Sequence, residues 1–415
     1  MPQTPRKLSE NVLFALNNSP VVFVNGPRQA GKTTLVQTLA ARNYPADYIS
    51  FDNATQMAAA AASPETFLSS RKEPVIIDEV QMVPEIFRAL KVVVDNLRQT
   101  DRKNANGRFL LTGSANIMAL PKLSDPLVGR MSIKTLLPFA GCETLGGKGD
   151  FLDRLFNLDF SNAKKDKTAL NEAIRLATFP EISGKKSRVR SEWFDGYLTT
   201  ILQRDVRVIS ELEKIALLPT LLRILASRAG SLMNDASIAR DIGLNPVTSK
   251  SYRAILHAMF LTFDVQPWYR NIGKRLVKSP KGYLGDTLLL CHLLEWNLDD
   301  LRQRKPDLYG HVVENFVATE LMKLLSFSDL RAQLLHLRTS DNKEVDFVLE
   351  RPDGRLAGIE VKSSDSVSSK DFKGMKVLQD IAGDDFTGGI VLYAGKDVVP
   401  FGEKLLAVPV NALWQ

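Results

Sequence analysis

Cysteine and histidine are scarce, with two Cys and four His in 415 residues. Cys142 and Cys291 share no CxxC or metal-ligand spacing, which excludes a disulfide framework and a zinc site and leaves both as reduced residues. The histidines are scattered, and His257 and His292 stand within apolar runs, where packing is the ordinary role. No apolar run approaches the eighteen or more residues of a membrane span, and Met1-Pro2-Gln3-Thr4 lacks a signal-peptide pattern. The expectation is a cytoplasmic protein without membrane contact. There is no internal repeat or low-complexity tract, Ala58 to Ala62 being only a brief alanine-rich helical segment. Nor does one sign of charge dominate: a net +7 on this length says little about nucleic acid by itself.

What is present is enough apolar residue, 44%, for two or three domains with proper cores. Val21-Val22-Phe23-Val24 reads as a short buried strand running into Gly26-Pro27-Arg28-Gln29-Ala30-Gly31-Lys32-Thr33-Thr34 and then a helical Leu35 to Leu39. This is G-x-x-x-x-G-K-[ST] in its strand–loop–helix setting, the pattern of a phosphate-binding loop. Gly26 and Gly31 let the backbone curl so that N–H groups face phosphate oxygens, and the helix N-terminus adds positive potential. Lys32 is placed to reach the β- and γ-phosphates of ATP and Thr33 to ligate Mg²⁺. Val75-Ile76-Ile77-Asp78-Glu79 is a β-branched run ending in two acids, as for a strand buried on both faces. Asp78 is the expected Mg²⁺ holder, through water, and Glu79 the group that polarises the attacking water. A third strand, Arg108 to Leu111, ends in Thr112-Gly113-Ser114-Ala115-Asn116. Either Thr112 or Ser114 could stand beside the γ-phosphate.

A second chemical centre is expected near the C-terminal end. Glu344 to Glu350 reads as a strand, Pro352-Asp353-Gly354 as a turn, and Leu356 to Lys362 as the returning strand. A turn centred on Asp353 pairs position 346 with 360, so that Asp346, Glu360 and Lys362 share one face. Two carboxylates directly opposite would lie about 5 Å apart and repel. A divalent cation, Mg²⁺ or Mn²⁺, removes that penalty, and Lys362 can then orient or deprotonate a water, which is the hardware of metal-assisted phosphodiester hydrolysis.

Between these centres the pattern is helical. Gly146 to Asp150 and Ser161 to Lys167 are the expected flexible stretches. Leu218 to Ala229 and Ala236 to Ile242 read as amphipathic helices, with Gly243 as a left-handed cap, and Asn245-Pro246 as N-cap and first turn of the next helix. That is a helix-turn-helix. As a winged variant its strands would be Phe260 to Pro267 and Lys274 to Ser279. From Asn245 to Gly282 there are seven Lys or Arg (Lys250, Arg253, Arg270, Lys274, Arg275, Lys278, Lys281) against one acid, Asp264. DNA contact is therefore expected through Thr248, Ser249, Lys250 and Arg253, supported by Arg270, Lys274 and Arg275. Winged helices on ATPases also serve protein contacts or cover the nucleotide, and those alternatives stay open.

The segments Gly26 to Thr34, Val75 to Gln81, Leu111 to Asn116, Leu127-Val128-Gly129-Arg130 and Leu137-Pro138-Phe139 together resemble the prokaryotic AAA-type ATPases that carry a C-terminal domain of unknown function. The resemblance implies a parallel sheet wound with helices and nucleotide at the C-terminal strand ends. It makes Arg130 a candidate phosphate contact, in cis or across the boundary of a homo-oligomer. Arg204-Asp205 also matches a recurring family segment, without a chemical role. The last hundred residues resemble the PD-(D/E)XK nuclease superfamily, whose core places a helical glutamate before the hairpin. Glu314 fits that place, which would make Glu314, Asp346 and Glu360 metal ligands. The expected fold is thus α/β with a helical and winged-helix middle region: a P-loop ATPase domain at 1–145, a helical lid or linker at 146–215, a winged helix at 216–300 and an α/β nuclease-like domain at 301–415. The functional expectation is a Mg-ATP switch coupled to a nuclease-like, DNA-interacting domain. Its competitor is an ATP-regulated binding protein whose nuclease-like domain no longer cuts and acts on a protein partner.

Overall fold

The computed structural model describes residues 4–71, 74–100, 105–114, 129–161, 168–205, 215–271 and 278–415, the side chains of Arg204 and Asp205 excepted. Ala115, Asn116, Leu127, Val128, Lys274, Arg275 and the stretch 162–167, all singled out above, lie outside these residues. The chain divides into two compact units, Met1–Pro138 with Ala258–Phe260, and the remainder from Phe139 to Gln415.

In the first unit the strands β1 (Val21–Asn25), β2 (Asp47–Ser50), β3 (Val75–Asp78), β4 (Phe109–Gly113) and β5 (Met131–Thr135) form a parallel sheet in the order β2-β3-β4-β1-β5. β1, β3 and β4 are buried at every position, which is why they read as unbroken apolar runs rather than alternations. Because all strands are parallel and β3, β4 and β1 are adjacent, their C-terminal ends meet at one edge. The segments following these three strands carry Glu79, Ser114 and the glycine loop, so topology alone gathers residues far apart in sequence.

In the second unit the strands β6 (Thr262–Pro267), β7 (Lys281–Leu284), β8 (Gln333–Arg338), β9 (Glu344–Glu350), β10 (Leu356–Val361), β11 (Phe386–Tyr393), β12 (Val399–Gly402) and β13 (Leu405–Pro409) form one mixed sheet, ordered β12-β13-β11-β10-β9-β8-β6-β7. The β9–β10 register pairs Leu356 with Glu350 and Ile359 with Phe347. Continued by one residue it sets Glu360 opposite Asp346, the pairing expected from the turn at Asp353.

The compact units divide the chain elsewhere than at 145/146 and 300/301. Residues 139–145 belong to the second unit, because the Phe139 amide donates to Thr178 O at 3.0 Å and the Gly141 amide to the buried Glu320 carboxylate at 2.7 Å. The division at 300/301 also falls inside a single structure: β6 pairs in parallel with β8, and Trp268 lies in the same apolar cluster as Leu337, Val345, Met375 and Phe386. The hairpin β6–β7 is the end of that sheet. Its second strand begins at Lys281, later than the Lys274 to Ser279 anticipated for a wing. The helices Asp235–Ile242 and Pro246–Ala258 appear where expected, with Gly243 at φ 68° and Asn245 Oδ1 accepting from the Thr248 amide at 2.8 Å. The unit closes on its own last residues: the Lys148 amide donates to Gln415 O at 3.0 Å, and the Trp414 ring meets Phe316 at 6.2 Å. Among the described residues no helix is long and apolar enough to cross a membrane.

Candidate functional site

The glycine loop follows β1 and leads into the helix Lys32–Arg42. Gly26 sits at φ 148°, and a Cβ there would lie 2.1 Å from Leu136 O, so no other residue fits. Gly31 at φ 93° and Gln29 at φ 63° complete the curl. Within the loop Pro27 and Ala30 are buried and Arg28 is half-buried, and Thr34, the third residue of the helix, is exposed. Arg6 braces the loop from outside, donating to Ala30 O at 2.7 Å and Leu137 O at 2.6 Å. The Lys32 ammonium is buried and donates to the loop's own Gly26 and Pro27 carbonyls at 3.0 and 2.9 Å. It therefore stands inside the cradle that phosphate oxygens would share.

Asp78 is the hub. One carboxylate oxygen accepts the Thr33 hydroxyl at 2.8 Å and the Tyr48 hydroxyl at 2.7 Å, and the other accepts the Thr112 hydroxyl and the Glu79 amide, the latter at 3.2 Å. A hydroxyl and a carboxylate in direct contact at the mouth of a phosphate loop form the oxygen donor set that Mg²⁺ takes beside phosphates. The residues fit Mg-ATP. Glu79, in the left-handed region at φ 58°, turns away from the strand, and burial raises its carboxyl above the usual carboxylate range. Its Oε2 is held by the Gln81 amide, which also donates to Ser114 Oγ at 3.1 Å. The two sensing candidates are thus separated by role: buried Thr112 belongs to the Asp78 hub and Ser114 to the Glu79–Gln81 pair. Tyr48 and Gln81 were not assigned from sequence. The signal for Gln81 was its place two residues beyond Glu79, whereas nothing local marks Tyr48.

Arg130 is a correction. Its carbonyl accepts the Val21 amide at 3.3 Å, placing it at the start of β1, while the glycine loop leaves the far end of that five-residue strand. At about 3.3 Å per residue that is roughly 16 Å away. Its guanidinium grips Asp95 through bonds of 2.6 and 3.0 Å. It is no phosphate contact in cis.

The C-terminal acids converge as expected, but around an unexpected cation. Glu314, on the helix Pro306–Phe327, accepts the Tyr283 hydroxyl at 2.7 Å and the Lys281 ammonium at 3.1 Å. Asp346 Oδ1 accepts the same ammonium at 3.2 Å, its Oδ2 takes the Val361 amide at 2.9 Å, and Glu344 is the third carboxylate on Lys281. Glu360 accepts Lys362 at 3.0 Å. Burial, with Asp346 alongside, raises the carboxyls of both Glu314 and Glu360 above their ordinary value. Burial alone would depress Lys281, yet Asp346, Tyr283, Glu314 and Glu344 together hold it well above the usual lysine range. Among the described residues no group of three His, Cys, Asp or Glu is arranged to hold a metal ion. Where a divalent ion was expected, Glu314 and Asp346 hold the Lys281 ammonium and Glu360 holds that of Lys362.

The basic stretch is also reduced. Arg253 is 5% exposed and bridges Asp235 and Asp264, the latter at 2.7 Å, while Ser249 and Lys281 are fully buried. None of the three can meet DNA. Lys250, Arg270 and Lys278 are exposed and Thr248 partly so. Lys274 and Arg275 lie outside the described residues.

Residues 18–145 match the AAA domain family, 167–300 a domain of unknown function (DUF8612), and 309–413 another domain of unknown function (DUF4143). The chain is 30% identical over 403 residues, 96% of its length and 82% of theirs, to "Uncharacterized protein Rv2008c" of Mycobacterium tuberculosis and "Uncharacterized protein Mb2031c" of Mycobacterium bovis. Among solved structures it is similar to the Walker-type ATPase PABY2304 of Pyrococcus abyssi, at 15% identity and a TM-score of 0.43 over 71% of this chain and 98% of that one.

Proposed function

The chain belongs to the family of these two mycobacterial proteins, and within it we propose an ATP-hydrolysing switch whose nucleotide state governs a nuclease-like, nucleic-acid-engaging C-terminal unit. The observation that carries the ATPase reading is the Asp78 hub, where hydroxyls from the loop helix, β2 and β4 converge beside Glu79. Mg²⁺, when bound with ATP, would supply charge neutralisation across the phosphates, with Thr33 and Asp78 as its holders. The loop amides and Lys32 bind and orient the phosphates. Glu79 takes a proton from water, and its raised proton affinity makes it a stronger base than an exposed carboxylate. Gln81 keeps Glu79 in position and ties it to Ser114 at the end of β4, so that the base and the candidate sensor move together.

The C-terminal reading is supported by a helix carrying Glu314 ahead of the β9–β10 hairpin that carries Asp346 and Glu360, with β11 as a later buried strand parallel to β10. The exposed Lys250 and the half-buried Thr248, near the start of the helix Pro246–Ala258, are the side chains offered to a polynucleotide. Phosphate release tests the first part. Lys32→Ala is expected to abolish ATP turnover and nucleotide binding together. Glu79→Gln should keep binding while turnover falls by about 10²- to 10⁴-fold. Unchanged turnover in both would remove the ATPase reading.

A further inference from the structure

Lys281 enters the acid cluster from β7, the terminal strand of the second unit's sheet, and its side chain is almost wholly buried. An ammonium has three N–H donors, and this one meets three carboxylates, Glu314, Glu344 and Asp346. Two of these contacts are hydrogen bonds, to Glu314 and Asp346, and the third is an ion pair with Glu344. The position is set from both sides. On one flank β7 is laddered to β6, with Val265 opposite Lys281. On the other, the Gly230 amide donates to Gly282 O at 2.9 Å and the Met233 amide to Pro280 O at 2.8 Å. Gly230 also leaves room for the acid: a Cβ there would stand 3.1 Å from Glu314 Oε2. Tyr283, two residues along the same strand face, completes the grip on Glu314.

A divalent ion bonded to Glu314 and Asp346 would sit about 2.0–2.6 Å from their oxygens. The Lys281 nitrogen already occupies those oxygens at 3.1 and 3.2 Å. Volume and like charge prevent both from being there. We infer that Lys281 is the resident cation of this cluster, that the native chain takes up no divalent ion between Glu314 and Asp346, and that a short neutral residue at 281 converts the cluster into a divalent-metal site. This rests on the nuclease-like reading above and deepens it by naming the cation that the centre holds, and it is independent of ATP turnover.

The test is Mn²⁺ binding to the full chain without nucleotide, followed by electron paramagnetic resonance, for the native protein, Asp346→Asn, Lys281→Ala, Lys281→Arg and Lys281→Ala with Asp346→Asn. The native protein, D346N and K281R should take up equal amounts. K281A should gain one Mn²⁺ per chain, lost again in the double variant. Native uptake that disappears in D346N overturns the inference, as does a folded K281A with no gain. Should K281A not fold, native against D346N still decides whether the cluster is closed to metal. Loss of ATP turnover in K32A, measured separately, reports on the ATPase reading alone.

Discussion

A charged side chain announces its charge in the sequence but not its partner. Lys32, Thr33, Asp78 and Glu79 were legible because loop and strand-end motifs specify their own surroundings. Arg253 and Lys281 were not, since their partners, Asp235 and Asp264 for the one and Glu314, Glu344 and Asp346 for the other, come from other elements. Counted as surface charge, the two inflated the basic stretch. Their roles separate by mutation. Arg253→Ala leaves two aspartates without their buried counter-charge, and chemical denaturation should show a loss of about 3–5 kcal/mol. Lys250→Ala, on the exposed helix face, should change stability by less than about 0.5 kcal/mol while weakening DNA binding evenly across sequences, with a shallower salt dependence. DNA binding unaltered by that change would leave a protein partner as the occupant of the face.

Elements with local stop and start signals were read closely, and those closed by distant pairing were not. The glycine cap at Gly243 and the Asn245 cap both appear as the residues dictate, because each is decided within four or five positions. Removing the Asn245 acceptor with Asn245→Ala should cost about 1 kcal/mol in a denaturant melt. An unchanged midpoint would mean that tertiary packing alone holds the helix Pro246–Ala258. The register of β9 against β10 was equally legible, since a turn centred on Asp353 settles which residues face each other. The start of β7 was not, because Lys281–Leu284 is a strand only by virtue of pairing with β6 and the segment at Gly230–Met233.

At the scale of the molecule, the expectation of four pieces gives way to two units, and the reason is a sheet that ignores the sequence boundary. β6 and β7 are its end, and Trp268 fills its apolar cluster, so cutting at 300/301 removes strands and core together. A fragment 139–415 should unfold in a single cooperative transition, whereas 301–415 should aggregate or melt without one, as followed by circular dichroism. Cooperative melting of 301–415 would mean that β8–β13 suffice alone. The contact of Lys148 with Gln415 and of Phe316 with Trp414 carries a consequence for biosynthesis. The parallel sheet of the first unit uses residues 21–135, which leave the ribosome early. The second cannot seal its core until Trp414 has left the exit tunnel, so a nucleotide-binding module whose sheet is already complete would stay tethered to a half-built neighbour while residues 139–414 are made.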